Sequence, residues 1–218
     1  MIPLYGSQRT RRFPWVTLLL ILGNALVFLG WQIRVGLEES VDIGGLIPAE
    51  FPREPDSLIH LFAAMFMHGG WMHLLGNMWF LWIFGSNIED ATGARRFFYF
   101  YLICGAIAGL TQILASPHSL VPMIGASGAV SGVLGAYFLL FPRARIATAF
   151  FIFVFEIPAF VFLFFWIALQ ILSQKVAGHQ EGGGVAYLAH IGGFFSGLLL
   201  IGLFRARLCS HGPTGRRD

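Results

Sequence analysis

The sequence predicts an all-α polytopic membrane protein of six transmembrane helices with both termini on the cytoplasmic side. Three observations carry that expectation. Of 218 residues, 56% are hydrophobic and only 11% are charged, with a mean hydropathy of +0.72. A soluble domain carries about 25% charge because its surface must meet water, so this chain needs lipid as its solvent. Six apolar segments stand out, at about 13–32, 72–88, 97–115, 126–141, 157–173 and 185–204. Most of them approach the ~20 residues that cross ~30 Å of hydrocarbon. Finally, 11 of the 14 Lys and Arg residues fall on one side of a six-span arrangement, leaving only Arg34, Arg53 and Lys175 on the other. Cytoplasmic loops are the ones enriched in Lys and Arg, so the basic side is cytoplasmic and the net charge of +3 reports topology rather than nucleic-acid binding.

Taken in order, residues 1–12 form a short basic cytoplasmic N-terminus. Arg9, Arg11 and Arg12 precede an apolar run that continues to about Trp31 without the small-x-small cleavage site of a signal peptide, so the run reads as the first span. Residues 13–204 form one membrane domain. The loop from about 33 to 71 collects Glu38, Glu39, Asp42, Glu50, Glu54 and Asp56 on the outer side. It also holds an amphipathic stretch, Leu58 to Met67, expected to lie in the interface. The fourth segment is short, lies between Pro122 and Pro142, and is rich in Gly, Ala and Ser. Such a helix is expected among other helices rather than in lipid. Residues 144–156 are apolar and read as an interfacial connector, with one long tilted helix as the alternative. The fifth span starts near Pro158, since proline is tolerated in a helix's first turn. Residues 205–218 form a basic cytoplasmic tail. Cys104 and Cys209 suggest no disulfide framework.

Polar residues inside spans are costly and are functional candidates by default. His73 lies 16 residues before Glu89, Ser127 lies 16 before Arg143, and His190 lies 15 before Arg205. At 1.5 Å per residue each stands about 23 Å from the cytoplasmic boundary, so the three share one layer nearer the outer surface. Asn77 follows His73 at i+4 and shares its face. A serine and a histidine at one depth suggest a nucleophile and its base. His73, the Asn77 amide and the Ser127 backbone N–H at a helix start are candidate donors for an oxyanion. Glycines flank each position, and Gly193-x-x-x-Gly197 gives the sixth segment a small-residue face for the fourth. No Asp or Glu is placed to orient His190, which points to a dyad.

His73-x-x-x-Asn77, Gly125-Ala-Ser127-Gly128 and Ala189-His190-Ile-Gly-Gly193, in order on the second, fourth and sixth segments, resemble the rhomboid intramembrane serine proteases. Met67-His68 before Trp71-Met-His73, and Gly85-x-x-x-Glu89, agree with that resemblance, which covers about residues 58–204. It implies a rhomboid-like six-helix core and hydrolysis of peptide bonds in or near transmembrane segments of other membrane proteins. It assigns Ser127 as nucleophile, His190 as general base, and His73 and Asn77 as the oxyanion-stabilising pair. It implies no cofactor and no metal. Two positions depart from some bacterial members: Ser131 stands where a tyrosine stacks on the histidine, and the first loop lacks a Trp-Arg pair.

Other readings are weaker. A lone serine in a membrane helix is usually a packing residue, but the Gly-Ala-Ser-Gly setting and the match in depth to His190 favour catalysis. His68 and His73 as metal ligands lack a supporting carboxylate or cysteine; His68 is expected to hold the first loop to the second span, and Glu89 to be structural. A non-catalytic rhomboid-like protein that binds membrane helices is the alternative, although inactive relatives usually lose the serine or histidine kept here. A transporter would show paired repeats, and none is convincing. The compact architecture leads to the expectation of a bacterial plasma membrane, with the lipid bilayer and transmembrane-segment substrates as partners.

Overall fold

A computed structural model describes residues 2–177 and 185–205. The tail beyond Arg205, with Cys209 and His211, and His179 in the loop before the last helix lie outside the described residues. The chain runs β1 (Ile2–Gly6), α1 (Trp15–Val35), α2 (Leu37–Gly44), α3 (Ser57–Phe66), α4 (Trp71–Thr92), α5 (Ala94–Ala115), α6 (Ser127–Leu140), β2 (Arg145–Phe150), β3 (Phe153–Pro158), α7 (Ala159–Ala177) and α8 (Tyr187–Phe204). Helices α1, α5, α7 and α8 are each long and apolar enough to cross a bilayer, and α3 with α4, bent by 84° between them, makes a fifth candidate. The chain is therefore a mostly helical membrane protein.

The fourth apolar segment became α6, whose 14 residues extend about 21 Å at 1.5 Å per residue, short of a full crossing. Every residue from Ala129 to Tyr137 is buried, as expected for a helix surrounded by other helices. Small residues are what let its neighbours close in. A methyl group built on Gly197 of α8 would overlap the Gly132 carbonyl of α6, and one on Gly193 would overlap that of Gly128. The glycine face read in the sixth segment thus packs backbone to backbone on the fourth. Gly197→Val is expected to cost at least about 3 kcal/mol, because overpacking here meets main chain that cannot rotate away. Thermal unfolding in detergent should show the drop, whereas Gly202→Val, where nothing lies within 4 Å of the added atom, should not.

Glu89 is structural, as expected, and its task is specific. Its carboxylate accepts from the backbone amides of Val16 (3.0 Å) and Thr17 (2.7 Å) and from the Thr17 hydroxyl (2.8 Å). These are amides that a helix start leaves unpaired, so Glu89 of α4 caps α1 and fixes the pairing of the two helices at this end.

The all-α expectation needs correction at one place. Residues 144–156 connect α6 to α7 as strands and are not the start of one long helix. They form the hairpin β2–β3, and β1 from the supposed basic N-terminus adds a third antiparallel strand in the order β1-β2-β3. Ile146 pairs with Ile157 and Thr148 with Phe155. The stretch is rich in aromatic and β-branched residues, which suit a pleated surface. Its turn is made by Phe151 and Ile152 with Phe151 at φ 53°, without the Asn or Gly that usually marks a hairpin turn in sequence. Hydropathy alone registered only an apolar run.

Candidate active site

Ser127 is the first residue of α6, where the opening amides of a helix lack intrahelical partners. The approach to it is fixed on both sides. The Gly125 amide donates to the Ala64 carbonyl at the end of α3 (2.8 Å), and Leu46 and Met123 exchange backbone hydrogen bonds of 3.0 and 2.9 Å. Gly125 sits at φ +117°, a conformation that favours glycine, and a Cβ there would lie 2.7 Å from His73 Nε2. The absence of a side chain at this position is what lets the His73 ring rest against the backbone just before Ser127.

His190 stands one turn into α8, and its Nε2 lies 2.7 Å from Ser127 Oγ. Its Nδ1 lies 2.8 Å from Gln170 Oε1 on α7. An amide oxygen only accepts, so this contact places the ring hydrogen on Nδ1 and leaves the Nε2 lone pair facing the serine hydroxyl. The arrangement can therefore draw the serine proton without any charged orienting group. Trp166 on α7 and Tyr187 on α8 flank the ring, with centroids 6.2 and 6.3 Å away. Ser131 takes no part in holding His190: its hydroxyl donates to the Ser127 carbonyl, 2.6 Å away. The start of α8 is tied to α5, since the Ala189 amide donates to Gln112 Oε1 at 3.3 Å.

His73 Nδ1 accepts a long hydrogen bond of 3.4 Å from the Gly69 amide, which leaves Nε2 as the protonated nitrogen on the side of Gly125 and Ser127. The His68 ring packs edge-on against it at 5.0 Å. His68 is itself anchored through its main chain: its amide donates to Gln32 Oε1 (2.8 Å) and its carbonyl accepts from Gln32 Nε2 (3.1 Å). The loop before α4 is thus held by hydrogen bonds to α1 rather than to the second span, which His68 meets only through its ring against His73. The Asn77 side chain is 8% exposed, and its Nδ2 has no partner among the described residues.

A cavity of about 940 Å³ is lined by His73, Asn77, Ser127 and His190 together, with Met72 and Phe80 on the α4 side and Trp166 and Gln170 on the α7 side. The four residues singled out from spacing therefore share one chamber. Gln170, Trp166 and Gln112 were not anticipated. The signal for Gln170 was present, as a polar residue inside an apolar segment, but only its geometry shows the partner. Among the described residues no group of His, Cys, Asp and Glu is arranged to hold a metal ion.

Comparison with known proteins points to one family. A family model described as Rhomboid domain matches residues 55–207. Rhomboid protein 1, mitochondrial, of Saccharomyces cerevisiae is 36% identical over 149 residues, covering 66% of this chain and 41% of the yeast protein. Presenilin-associated rhomboid-like protein, mitochondrial, of Mus musculus is 28% identical over 188 residues, 84% of this chain and 46% of its own. Rhomboid-like protein 11, chloroplastic, of Arabidopsis thaliana is 41% identical over 70 residues, 32% of this chain and 25% of its own. The chain spans less than half the length of these relatives. Their organellar names lend no support to the bacterial plasma membrane expected from architecture.

Proposed function

The chain belongs to the rhomboid family, and from that premise we propose that it is an intramembrane serine endopeptidase that cleaves membrane proteins in or near their transmembrane segments. The observation that carries the reading is the 2.7 Å approach of His190 Nε2 to Ser127 Oγ within a chamber also lined by two further polar side chains, His73 and Asn77. Six crossings and cytoplasmic termini belong to the same proposal: α6, enclosed by its neighbours, supplies the sixth.

In the proposed reaction Ser127 Oγ attacks the scissile carbonyl while His190 Nε2 takes its proton. Gln170 holds the Nδ1 hydrogen and so the tautomer. The carbonyl oxygen gains charge, and the Asn77 amide, His73 Nε2–H and the Ser127 amide donate to it. His190 then returns the proton to the leaving amine. Water enters, gives a proton to His190, and hydrolyses the acyl-enzyme, restoring Ser127. A substrate segment has to be unwound at the cut, since a helical peptide bond is shielded from attack. Substrate enters between α4 and α7, which face each other across the chamber. Of the four long candidate spans α7 has the smallest buried share, 22% against 28–44%, so displacing it disrupts the fewest contacts.

The test is purified protein in detergent with a transmembrane peptide carrying small and helix-breaking residues, with fragments identified by mass spectrometry and Ser127 probed by fluorophosphonate labelling. Labelling without cleavage would point to another substrate. Neither labelling nor cleavage would favour a non-catalytic helix-binding protein. Asn77→Ala is expected to lower kcat by about 10²-fold, the loss typical of one oxyanion donor, while labelling persists. A loss as deep as that of Ser127→Ala would assign Asn77 a different role. Gln170→Leu is expected to lower kcat on the order of 10²-fold through loss of orientation, with KM little changed. Gln170→Asn, whose shorter arm stops short of Nδ1, should recover little of it.

A further inference from the structure

The opposite end of α4 borders a second cavity. His73 and Asn87 are separated by 14 residues, about 21 Å along the helix, so the two chambers lie at different membrane faces. This cavity, of about 650 Å³, is lined by Gln8, Arg9, Arg11, Arg12, Trp82 and Asn87 among others. The segment carrying the arginines is held in place through its main chain, because Asp90 accepts from the Arg11 and Arg12 amides, each at 3.2 Å. Among the described residues no ion pair holds any of the three guanidinium groups. Asn87 lines the cavity from α4. It is 5% exposed, and its Nδ2 donates to the Ile83 carbonyl (3.1 Å), which fixes this wall of the cavity to its own helix.

We propose that this cavity binds the headgroup of an anionic phospholipid, with the phosphate on the arginines. Guanidinium groups match phosphate geometry, and basic pockets at the cytoplasmic side of membrane helices suit lipid headgroups. A lipid is favoured over a soluble anion by the apolar path leading away. Phe13 and Trp82 line the cavity and are 54% and 44% exposed, at the level where aromatic rings sit in the membrane interface. From there Trp15, Leu19, Leu22 and Leu26, spaced along one face of α1, are 62%, 62%, 47% and 70% exposed. That stripe offers a surface for the acyl chains. The proposed topology supplies only the name of the leaflet, and the site stands whether or not the chain is a protease.

Native mass spectrometry of the detergent-solubilised full chain, titrated with phosphatidylglycerol, phosphatidylcholine or inorganic phosphate, tests this. One phosphatidylglycerol is expected to be retained in preference to phosphatidylcholine, with inorganic phosphate failing to displace it. Arg9→Gln/Arg11→Gln/Arg12→Gln should weaken retention on the order of a hundredfold, and each single substitution about fivefold. The singles serve if the triple variant does not fold. Arg95→Gln/Arg96→Gln, which removes charge from the same end outside the cavity, should retain lipid as the wild type does. Equal retention of the two lipids, displacement by inorganic phosphate, or equal losses from both sets of variants would overturn the site.

Discussion

Ser127→Ala is expected to reduce cleavage of a transmembrane peptide by about 10⁴-fold or more, and to abolish fluorophosphonate labelling. Losses of this size follow removal of a serine nucleophile in other hydrolases, where the remaining activity comes from the oxyanion site and substrate binding. The substitution removes one hydroxyl at the start of α6 and leaves the neighbours that fix the approach: the Gly125 amide on Ala64 (2.8 Å) and the Leu46–Met123 backbone pair. Thermal unfolding should therefore change little, which separates lost chemistry from lost structure. Cleavage by Ser127→Ala at the wild-type rate would assign the activity to another nucleophile.

His190→Ala is expected to lose a similar amount of kcat, because Ser127 without a base has no acceptor for its proton at neutral pH. Here some structural cost accompanies the chemical one. The ring fills space between Trp166 and Tyr187 and satisfies Gln170, and truncation leaves that side chain facing a void. His190→Gln keeps more of the volume while lacking a base, so it should be as inactive as His190→Ala and closer to wild type in thermal midpoint. A double variant with Ser127→Ala should be no slower than either single variant, since residues that act as one unit are not additive. Measured additivity would mean that the two residues act in separate steps.

Much of the candidate site was legible because membrane helices are nearly straight rods of fixed rise. Counting back from Glu89, Arg143 and Arg205 placed His73, Ser127 and His190 at one depth, and these residues line one chamber. Glycine spacing on α8 likewise foretold contact with α6, since close backbone approach has a residue-level signature. What counting could not supply was rotation. Whether Gln170 turns toward His190 or toward lipid depends on how α7 is set about its axis, and an apolar segment with weak amphipathic pattern does not record that. A neutral amide rather than a carboxylate fixes the tautomer here, and only the packing of α7 brings it to His190. The sheet was missed for a different reason. Apolar runs in strands and in membrane helices look alike to hydropathy, and β1 and β2 pair across more than 130 residues of intervening chain, as in Ile2 with Ala149.

The sequence by itself determined the solvent of this protein, the apolar segments that became its long helices, the family, and the residues that meet at one level. Those follow from composition and from distances along single elements. Tertiary structure alone decided which side chain holds His190, how Glu89 joins α4 to α1, and that the apolar stretch before α7 is a hairpin completed by the N-terminal strand. Each of these joins residues on different elements, and only packing selects which faces meet.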